Sequence, residues 1–442
     1  MRTLATFVPT AVVACLALIG CSSDSSPTPS SGVSDGSGEV GAAISQPLVP
    51  PGVSLAPDSA RVDLRVPRFS NPTEVTNPFF PVSRQASVVF VGHVDGKPFR
   101  TEVTLLPDTR VIEWGGQRVE TLVSQYTAYL DGRLQEVAYD LYAQADDGSV
   151  WYFGEDVADL EHGVLATKEG TWLAGKDGPA QMIMPGQPSP GDVYRTENIP
   201  GIAFEQVTVK SVNQSLAGPL GPVTGMIGRE LHEDGSTELK QFASGYGEYY
   251  TGDGADVEAL ALAVPTDNAN APMPSGLRHL YADAVDVVHH GPEPGTAARL
   301  RKDWASVPRS DVPRLMIPIA AHAVDDVAHA DSPREARQAA INLALRALDQ
   351  QLRYREPAEV DLDRVALWCD QLRLDAAAPD TANVSGDVFT LFYLRDRVAS
   401  SLTPAQTSAY NHQLGTLQVA APEHHLGQAV RAARALHDTL TH

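Results

Sequence analysis

The pattern of apolar and polar positions divides the chain into two unlike halves. From residue 62 to about 265, short runs such as SVVFVGHV, RVIEWG and AFEQVTVKSV alternate apolar and polar residues. A period of two is typical of strands that bury one face. Asp-Gly pairs at 95–96, 131–132, 147–148 and 234–235 punctuate these runs, and this dipeptide accepts the positive φ angles of tight hairpins. We therefore predict an antiparallel β meander that curls into an open barrel or half-barrel.

The second half, residues 275–442, changes to alanine-rich sequence with helical periodicity. Ser332-Pro333-Arg334-Glu335 combines a capping box with proline at the first helical position, and Thr403-Pro404 repeats that start. These signals predict an all-α domain of about six to eight helices. The expected fold class is α+β, with an antiparallel β domain at 62–265 followed by a helical domain at 275–442.

The amino terminus has the features of a secretory signal. Arg2 precedes an apolar run over residues 4–19, which predicts a signal peptide at 1–20. Leu18-Ile19-Gly20-Cys21 resembles the bacterial lipobox, which implies acylation of Cys21; the alternative is an ordinary signal peptide that contains a cysteine. Residues 21–60 are rich in Ser, Gly and Pro and are predicted to form a disordered tether. We expect a lipid anchor in the cell membrane, on its extracytoplasmic face.

Charge and cysteine usage limit the classes of partner that the chain can bind and the disulfides that it can form. The formal net charge of −22 argues against nucleic acid and against adsorption to anionic lipid through a basic patch. Cys15 would leave with the signal and Cys21 would carry the lipid, so Cys369 is the cysteine that remains. The mature chain can then form no internal disulfide. Cys369 is expected to be a buried helix residue.

The stretch YDLYAQADDGSVWYFGEDV, residues 139–157, is dense in aromatic and acidic residues. With Asp147-Gly148 as the central turn residues, Tyr142 would face Phe153 and Asp140 would face Glu155. Aromatic cross-strand pairs stabilise a sheet, whereas opposed carboxylates destabilise it unless they are bridged or solvated. The two acids could share a proton, bind a divalent cation, or sit at a solvated strand end.

This stretch also carries a family resemblance. DLYAQADDGSVWYFGE, FSNPTEVTNPFFPV (residues 69–82) and AGKDGPAQMIMPGQPSPGDVYRTE (residues 174–197) resemble segments of an uncharacterised family of bacterial envelope proteins. That family implies no established activity. ELKQFASGYGEYY, residues 238–250, resembles the closing strand of lipid-carrier half-barrel lipoproteins, which implies a concave sheet that holds an apolar ligand.

Two predicted helices carry histidines and acids on one face, the arrangement that carboxylate–histidine metal sites in helical bundles require. The first stripe is His279, Asp283, Asp286 and His290, and the second is His322, Asp325, Asp326 and His329. Both stripes lie away from the apolar face of their helix, which favours a solvated polar surface over a metal or proton-sensing site. The candidate metal ligands in the chain are Asp140, Glu155, His322, Asp326 and His329.

The chain contains no S-x-x-K, H-E-x-x-H, Walker A or C-x-x-C motif and no G-x-S-x-G nucleophile elbow, because the G-x-S-x-G at residues 32–36 lies inside the predicted tether and not between a strand and a helix. We therefore expect a binding protein for a small or apolar ligand, with residues 176–192 as the mouth of an aromatic pocket. The candidate pocket residues are Tyr142, Trp151, Phe153, Trp114 and Trp172. One alternative is an envelope scaffold that docks a partner protein through its helical domain. Another is a metal-assisted hydrolase that uses Asp140 and Glu155 or the histidine stripes.

Overall fold

A computed structural model describes residues 49–50, 52–253, 256–264, 271–378 and 380–441. The predicted signal peptide, Cys21 and most of the predicted tether, residues 1–48, lie outside the described residues. No helix within the described ranges is long and apolar enough to cross a membrane.

The predicted α+β class is confirmed, with a fourteen-stranded antiparallel sheet followed by helices. The strands are β1 (Ser87–Val94), β2 (Lys97–Trp114), β3 (Gln117–Leu130), β4 (Arg133–Gln144), β5 (Val150–Glu161), β6 (Val164–Thr167), β7 (Trp172–Leu173), β8 (Gln181–Met184), β9 (Val193–Ile199), β10 (Ala203–Ala217), β11 (Pro222–His232), β12 (Thr237–Ala243), β13 (Gly247–Asp253) and β14 (Asp256–Val264). Their order across the sheet is β6-β5-β4-β3-β2-β1-β14-β13-β12-β11-β10-β9, with β7 and β8 both paired to β5.

Two of the predicted Asp-Gly turns have the expected left-handed backbone. Asp95 and Gly96 have φ of 51° and 71°, and Asp131 and Gly132 have φ of 51° and 75°. Each pair forms the two-residue connection of a hairpin, joining β1 to β2 and β3 to β4. Local turn chemistry therefore sets the register of both hairpins.

The sheet curls around a common interior. The first and last strands, β1 and β14, pair with each other, so the meander continues through the point where the chain enters and leaves it. At the far ends, β8 pairs with β5 and packs beside β9 without a backbone ladder between them. The result is a barrel with one seam that is closed by packing rather than by hydrogen bonds.

Eight α-helices follow the sheet within the described residues, in agreement with the predicted number. They are α1 (Ser275–His290), α2 (Thr296–Ser306), α3 (Met316–His329), α4 (Pro333–Gln351), α5 (Pro357–Ala376), α6 (Thr381–Val398), α7 (Pro404–Ala420) and α8 (Leu426–Thr441). The side chain of Ser332 caps α4, and Thr403 forms the capping box that begins α7, as expected.

The helices pack on the outer face of the sheet. On β1, Val89 and Val91 join an apolar core with the first helices, whereas Val88 and Phe90 belong to a separate cluster on the other face. Residues of β3, β4 and β5 join a second core with α5–α8. Strand alternation thus lets the strands beneath the helices turn one face toward the helices and the other toward the barrel interior.

Six buried charged side chains cross the boundary between sheet and helices, and we call this set the arginine junction. It comprises Arg100 and Glu102 on β2, Asp349 on α4, Asp361 and Arg364 on α5, and Arg397 on α6. Arg100 donates from Nε to Asp349 Oδ2 at 3.0 Å, and Arg364 donates to the other oxygen of Asp349 at 2.8 Å. Arg397 pairs with Glu102 and donates to Thr127 Oγ1 at 2.6 Å. Three cations therefore face three anions.

Pairing keeps Glu102 and Asp349 of the arginine junction ionised. Burial acts to raise the pKa of Glu102, but Arg100, Arg364 and Arg397 hold that pKa well below its usual range. Burial opposes ionisation of Asp349 in the same way, and Arg100 and Arg364 again lower the pKa. A buried carboxylate that faces guanidinium groups remains charged at neutral pH.

Candidate functional site

The hairpin of β4 and β5 pairs Asp140 with Glu155, as predicted. The predicted pairing of Tyr142 with Phe153 is wrong: the strands close at Gln144 and Val150 rather than on a two-residue turn, so Tyr142 pairs with Tyr152. A register shift between Asp140 and Tyr142 then restores the predicted pairing at Asp140. Two residues on β5 oppose one on β4 there, which is a β-bulge. Gly154 lies in it with φ of 125°, and a Cβ at this position would lie 2.3 Å from the carbonyl oxygen of Trp172. The close approach of β7 therefore requires glycine.

The observed register places the predicted pocket residues on two faces of the sheet rather than one. Trp151 and Phe153 lie on the same side of β5, and Trp114 packs against both with ring centroids 5.8 Å away in each case. Tyr142 lies on the other side, where it stacks on Tyr152 at 5.0 Å. Trp172 packs edge-on against Tyr152 there, at 5.4 Å. The five aromatic residues therefore do not surround one cavity.

The face of the sheet that carries Trp151 and Phe153 has an open cleft of about 650 Å³. Trp114 and Trp151 form its floor, while Phe153 is fully buried behind them. One wall is the extended segment at residues 61–66, and the other is the loop at residues 175–180 with the first two residues of β8. We call this feature the tryptophan cleft. Its loop wall coincides with the first part of the mouth predicted at 176–192.

The loop wall of the tryptophan cleft is held by close backbone contacts. Gly175 has φ of 81°, and a Cβ there would lie 2.4 Å from the carbonyl oxygen of Glu113. The Gly175 amide donates to the Gly178 carbonyl at 2.8 Å, and Asp177 accepts from the Leu173 amide at 2.9 Å. The loop is thereby fixed against the end of β2, next to Trp114.

The segment wall supplies both apolar and charged groups. Leu64 and Val66 are exposed in the tryptophan cleft. Arg61 forms a bidentate ion pair with Asp63, in which Nε donates to Oδ1 at 3.0 Å and Nη2 donates to Oδ2 at 2.9 Å. Arg65 also lines the cleft and makes no ion pair with any described residue. An apolar floor with an unpaired cation at its rim suits a ligand that has an apolar body and an acidic group.

The opposite face, which carries Tyr142 and Tyr152, lines a cavity of about 50 Å³ inside the barrel. We call this cavity the acidic chamber. Its lining contains six carboxyl groups and one ammonium group: Glu136, Asp140, Glu155, Glu197, Glu205, Glu230 and Lys240. A volume of this size has room for a few water molecules and no larger guest. The acidic chamber is therefore too small and too polar to hold the apolar ligand expected from the sequence.

Asp140 and Glu155 lie buried in the acidic chamber, not at a solvated strand end. Burial raises the pKa of Asp140 to about 7, although a hydrogen bond from the Tyr152 hydroxyl, at 2.8 Å, acts in the opposite direction. Burial raises the pKa of Glu155 well above its usual range, and the charge of Glu197 adds to that effect. Glu155 Oε1 has no hydrogen-bond partner in the described structure. Shared protons are the simplest way to hold these acids together.

The other side of the chamber holds cations. Lys240 Nζ lies 2.9 Å from Glu230 Oε2, and His232 lies 3.5 Å from Glu205 and 3.4 Å from Glu238. Burial acts to lower the pKa of His232, but hydrogen bonds to Glu205 and Glu238 raise it to about 11. Burial raises the pKa of Glu230 to about 8, with a contribution from Glu205. A protonated imidazole and an ammonium group therefore offset part of the acidic charge.

The predicted ligands on the second histidine stripe, His322, Asp326 and His329, are all exposed on α3. His329 Nδ1 contacts the Asp325 carbonyl at 2.8 Å. Among the described residues, two groups of three His, Asp or Glu side chains bring one ligand atom each within 4.8 Å of one another. These groups are His289–Asp370–His437 and Glu205–Glu230–His232, and neither contains the candidates Asp140, Glu155, His322, Asp326 or His329.

Sequence reasoning missed the segment wall of the cleft and most of the acidic chamber. Residues 61–66 lie beside the predicted tether and alternate polar and apolar residues over six positions, a pattern that does not indicate the wall of a cleft. The chamber acids Glu197, Glu205 and Glu230 lie on β9–β11, and sequence position alone does not say which face of a curled sheet points inward.

No protein-family model matches the chain, and no curated protein matches it by sequence.

Proposed function

We propose that this chain is a membrane-anchored extracytoplasmic lipoprotein that binds a small apolar ligand in the tryptophan cleft, without catalysing a reaction. The observation that carries the proposal is the cleft itself. At about 650 Å³ it falls within the range of about 300–1,000 Å³ typical of small-molecule sites. Trp114 and Trp151 offer it a broad aromatic floor.

The chemistry of the rim favours an amphipathic ligand. Arg61 is neutralised by Asp63, and Lys176 lies 3.2 Å from Asp177, so their charges are locally balanced. Arg65 makes no such pair with any described residue and is free to meet an acidic group. A carboxylate with an acyl or ring-containing body would place its apolar part on the tryptophans and its charge beside Arg65.

The position of the cleft along the chain agrees with a membrane ligand. Its segment wall begins at Arg61, directly after the predicted tether of residues 21–60. Acylation of Cys21 would keep this part of the folded body within reach of the lipid surface through the tether. Replacement of Cys21 by alanine should move the protein from the membrane fraction to the soluble fraction, and an unchanged membrane fraction would remove the anchor from the proposal.

Binding is tested with a fluorescent fatty-acid analogue titrated into the purified chain. We expect saturable binding that Trp114→Ala weakens at least 10-fold, because the floor loses its outer ring. Val111→Ala is the matched control, since Val111 is an exposed residue of the same strand outside the cleft lining, and it should bind as the wild type does. Equal affinity of the Trp114→Ala variant and the wild type would refute the cleft as the binding site.

A further inference from the structure

Two histidines and one aspartate from three different helices meet on the helical domain. His289 is the penultimate residue of α1, Asp370 lies in the middle of α5, and His437 lies near the end of α8. His289 Nε2 is 2.9 Å from Asp370 Oδ2, and the two imidazole rings are 6.0 Å apart between centroids, at 75°. One ligand atom from each residue lies within 4.8 Å of the other two.

Two imidazoles and a carboxylate form a donor set that divalent transition metals prefer. Zinc sites with three protein ligands leave a further position for water or another ligand, with metal–ligand distances of about 2.0–2.2 Å. Tetrahedral geometry at those distances separates ligand atoms by about 3.4 Å. His289 Nε2 and Asp370 Oδ2, now 2.9 Å apart, would need to separate by about 0.5 Å. The pairs that lie up to 4.8 Å apart would need to approach by up to about 1.4 Å, which changes of side-chain rotamer can supply.

Burial orients the carboxylate and leaves the imidazoles reachable. The Asp370 side chain is 4% exposed, whereas those of His437 and His289 are 20% and 33% exposed. Arg373 donates to Asp370 Oδ1 at 2.6 Å, which leaves Oδ2 directed at His289. A fixed second oxygen of this kind orients a metal-binding carboxylate.

The second group of converging ligand atoms in the described residues, Glu205–Glu230–His232, is less suited to a metal ion. Lys240 Nζ lies 2.9 Å from Glu230 Oε2, and both imidazole nitrogens of His232 face carboxylates. An ammonium group and a charged imidazole already neutralise the acids that a metal would need. The exposed histidine stripe on α3 has no such convergence, since its members are absent from both groups of converging ligand atoms.

We propose that His289, Asp370 and His437 bind a divalent transition metal ion of the zinc class, which cross-links α1, α5 and α8. The ion would replace the contact between His289 and Asp370 with two metal–ligand bonds and would add His437 as the third ligand. Because the ion binds the folded state, it should raise the melting temperature of the chain. The site lies apart from the tryptophan cleft, so it does not depend on the proposed ligand binding.

The test is a titration of the untagged, metal-free chain with Co²⁺, followed by visible absorption, and with Zn²⁺ in competition with a chromophoric chelator. We expect one equivalent to bind, and we expect His437→Ala to weaken binding about 100-fold. Arg373→Met should weaken it by about 10–100-fold through loss of carboxylate orientation. His322→Ala and His329→Ala, on the exposed stripe of α3, are matched controls and should bind as the wild type does.

His289→Gln provides a variant at the rim of the site for the case in which His437→Ala does not fold. It should also bind Co²⁺ much more weakly while it retains the wild-type circular dichroism spectrum. Unchanged affinity in His289→Gln, or a wild-type chain with no stoichiometric Co²⁺ or Zn²⁺ binding, would overturn the proposal. Loss of binding in His322→Ala or His329→Ala to the same degree would also overturn it, because the ion would then sit on the exposed stripe.

Discussion

The acidic chamber and the arginine junction are both buried sets of titratable side chains, but the negative charge of their carboxyl groups is reduced in different ways. The junction sets three guanidinium groups against three carboxylates. The chamber lining sets six carboxyl groups against Lys240 alone, with His232 just beyond the lining. Glu102 and Asp349 of the junction stay ionised beside arginine, whereas several chamber acids keep their protons.

This difference gives the two regions opposite responses to pH. The pKa values of Glu102 and Asp349 are lowered in the folded state, so their contribution to stability is present above about pH 4 and is lost as the pH falls through those lower values. The pKa values of Asp140 and Glu230 are raised to about 7 and about 8. Their contribution is complete below about pH 4 and is lost as the pH rises toward 7–8.

The largest effect is expected where pairing is broken at the junction. Glu102→Gln leaves Arg100, Arg364 and Arg397 facing one charge fewer, and it should lower the free energy of unfolding at pH 7 by about 3–5 kcal/mol. Urea unfolding followed by circular dichroism measures this loss. The control is Asp325→Asn, which breaks the exposed 2.9 Å contact with Arg301 and should cost less than about 1 kcal/mol. Similar small losses of unfolding free energy in both variants would contradict the claim that the buried ion pairs of the junction stabilise the fold more than an exposed ion pair does.

The next effect is a gain of stability in the chamber. Asp140→Asn removes a group whose pKa rises from 3.8 to about 7 on folding, while its amide oxygen can still accept from Tyr152. The free energy of unfolding should rise at pH 8 by an amount of the order of 4 kcal/mol, and by roughly half as much at pH 5.5. Asp156→Asn is the control, because Asp156 lies on the same hairpin but is exposed beside Lys168. A shift that is the same at both pH values would contradict the raised pKa of Asp140.

The smallest effect concerns the hydroxyl group that stabilises ionised Asp140. Tyr152→Phe removes the 2.8 Å hydrogen bond to Asp140 but keeps the ring that stacks on Tyr142. It should lower the free energy of unfolding by about 1–2 kcal/mol, more at pH 8 than at pH 5.5, because the charged acceptor loses more. In an Asp140→Asn background the pH-dependent part should vanish, which urea unfolding of the double variant measures. A pH-dependent effect of Tyr152→Phe that persists in the Asp140→Asn background would have to arise from another titratable group.

Local patterns were sufficient to predict the fold class. Strand alternation and the Asp-Gly turns at 95–96 and 131–132 specify hairpins through contacts between near neighbours in sequence. The error at Tyr142 came from the turn, which spans residues 145–149 rather than two residues and offsets the register by one. The Asp140–Glu155 pair was nevertheless predicted correctly, because the bulge cancels that offset, and Gly154 inside a strand pattern was the signal that could have indicated the bulge.

Long-range contacts were not predictable from the same patterns. Arg100 and Asp349 are 249 residues apart in sequence, and Arg397 and Glu102 are 295 apart. No periodicity links such positions, because they meet only after the helices dock on the sheet. The tryptophan cleft was predicted in part, through Trp114, Trp151 and the loop, since aromatic residues in a glycine-rich setting are visible locally. Arg65 on the opposite wall was not.

The most direct test of ligand binding is the mass of the protein as it comes from the cell. Native mass spectrometry of the full chain, purified from membranes in a mild detergent, should show a bound small molecule that organic extraction releases as an apolar acid. The same preparation of Trp114→Ala should lack that added mass, while Val111→Ala should keep it. A wild-type protein that carries only its polypeptide and lipid anchor, and that gains no mass with excess fatty acid, would contradict the proposed function.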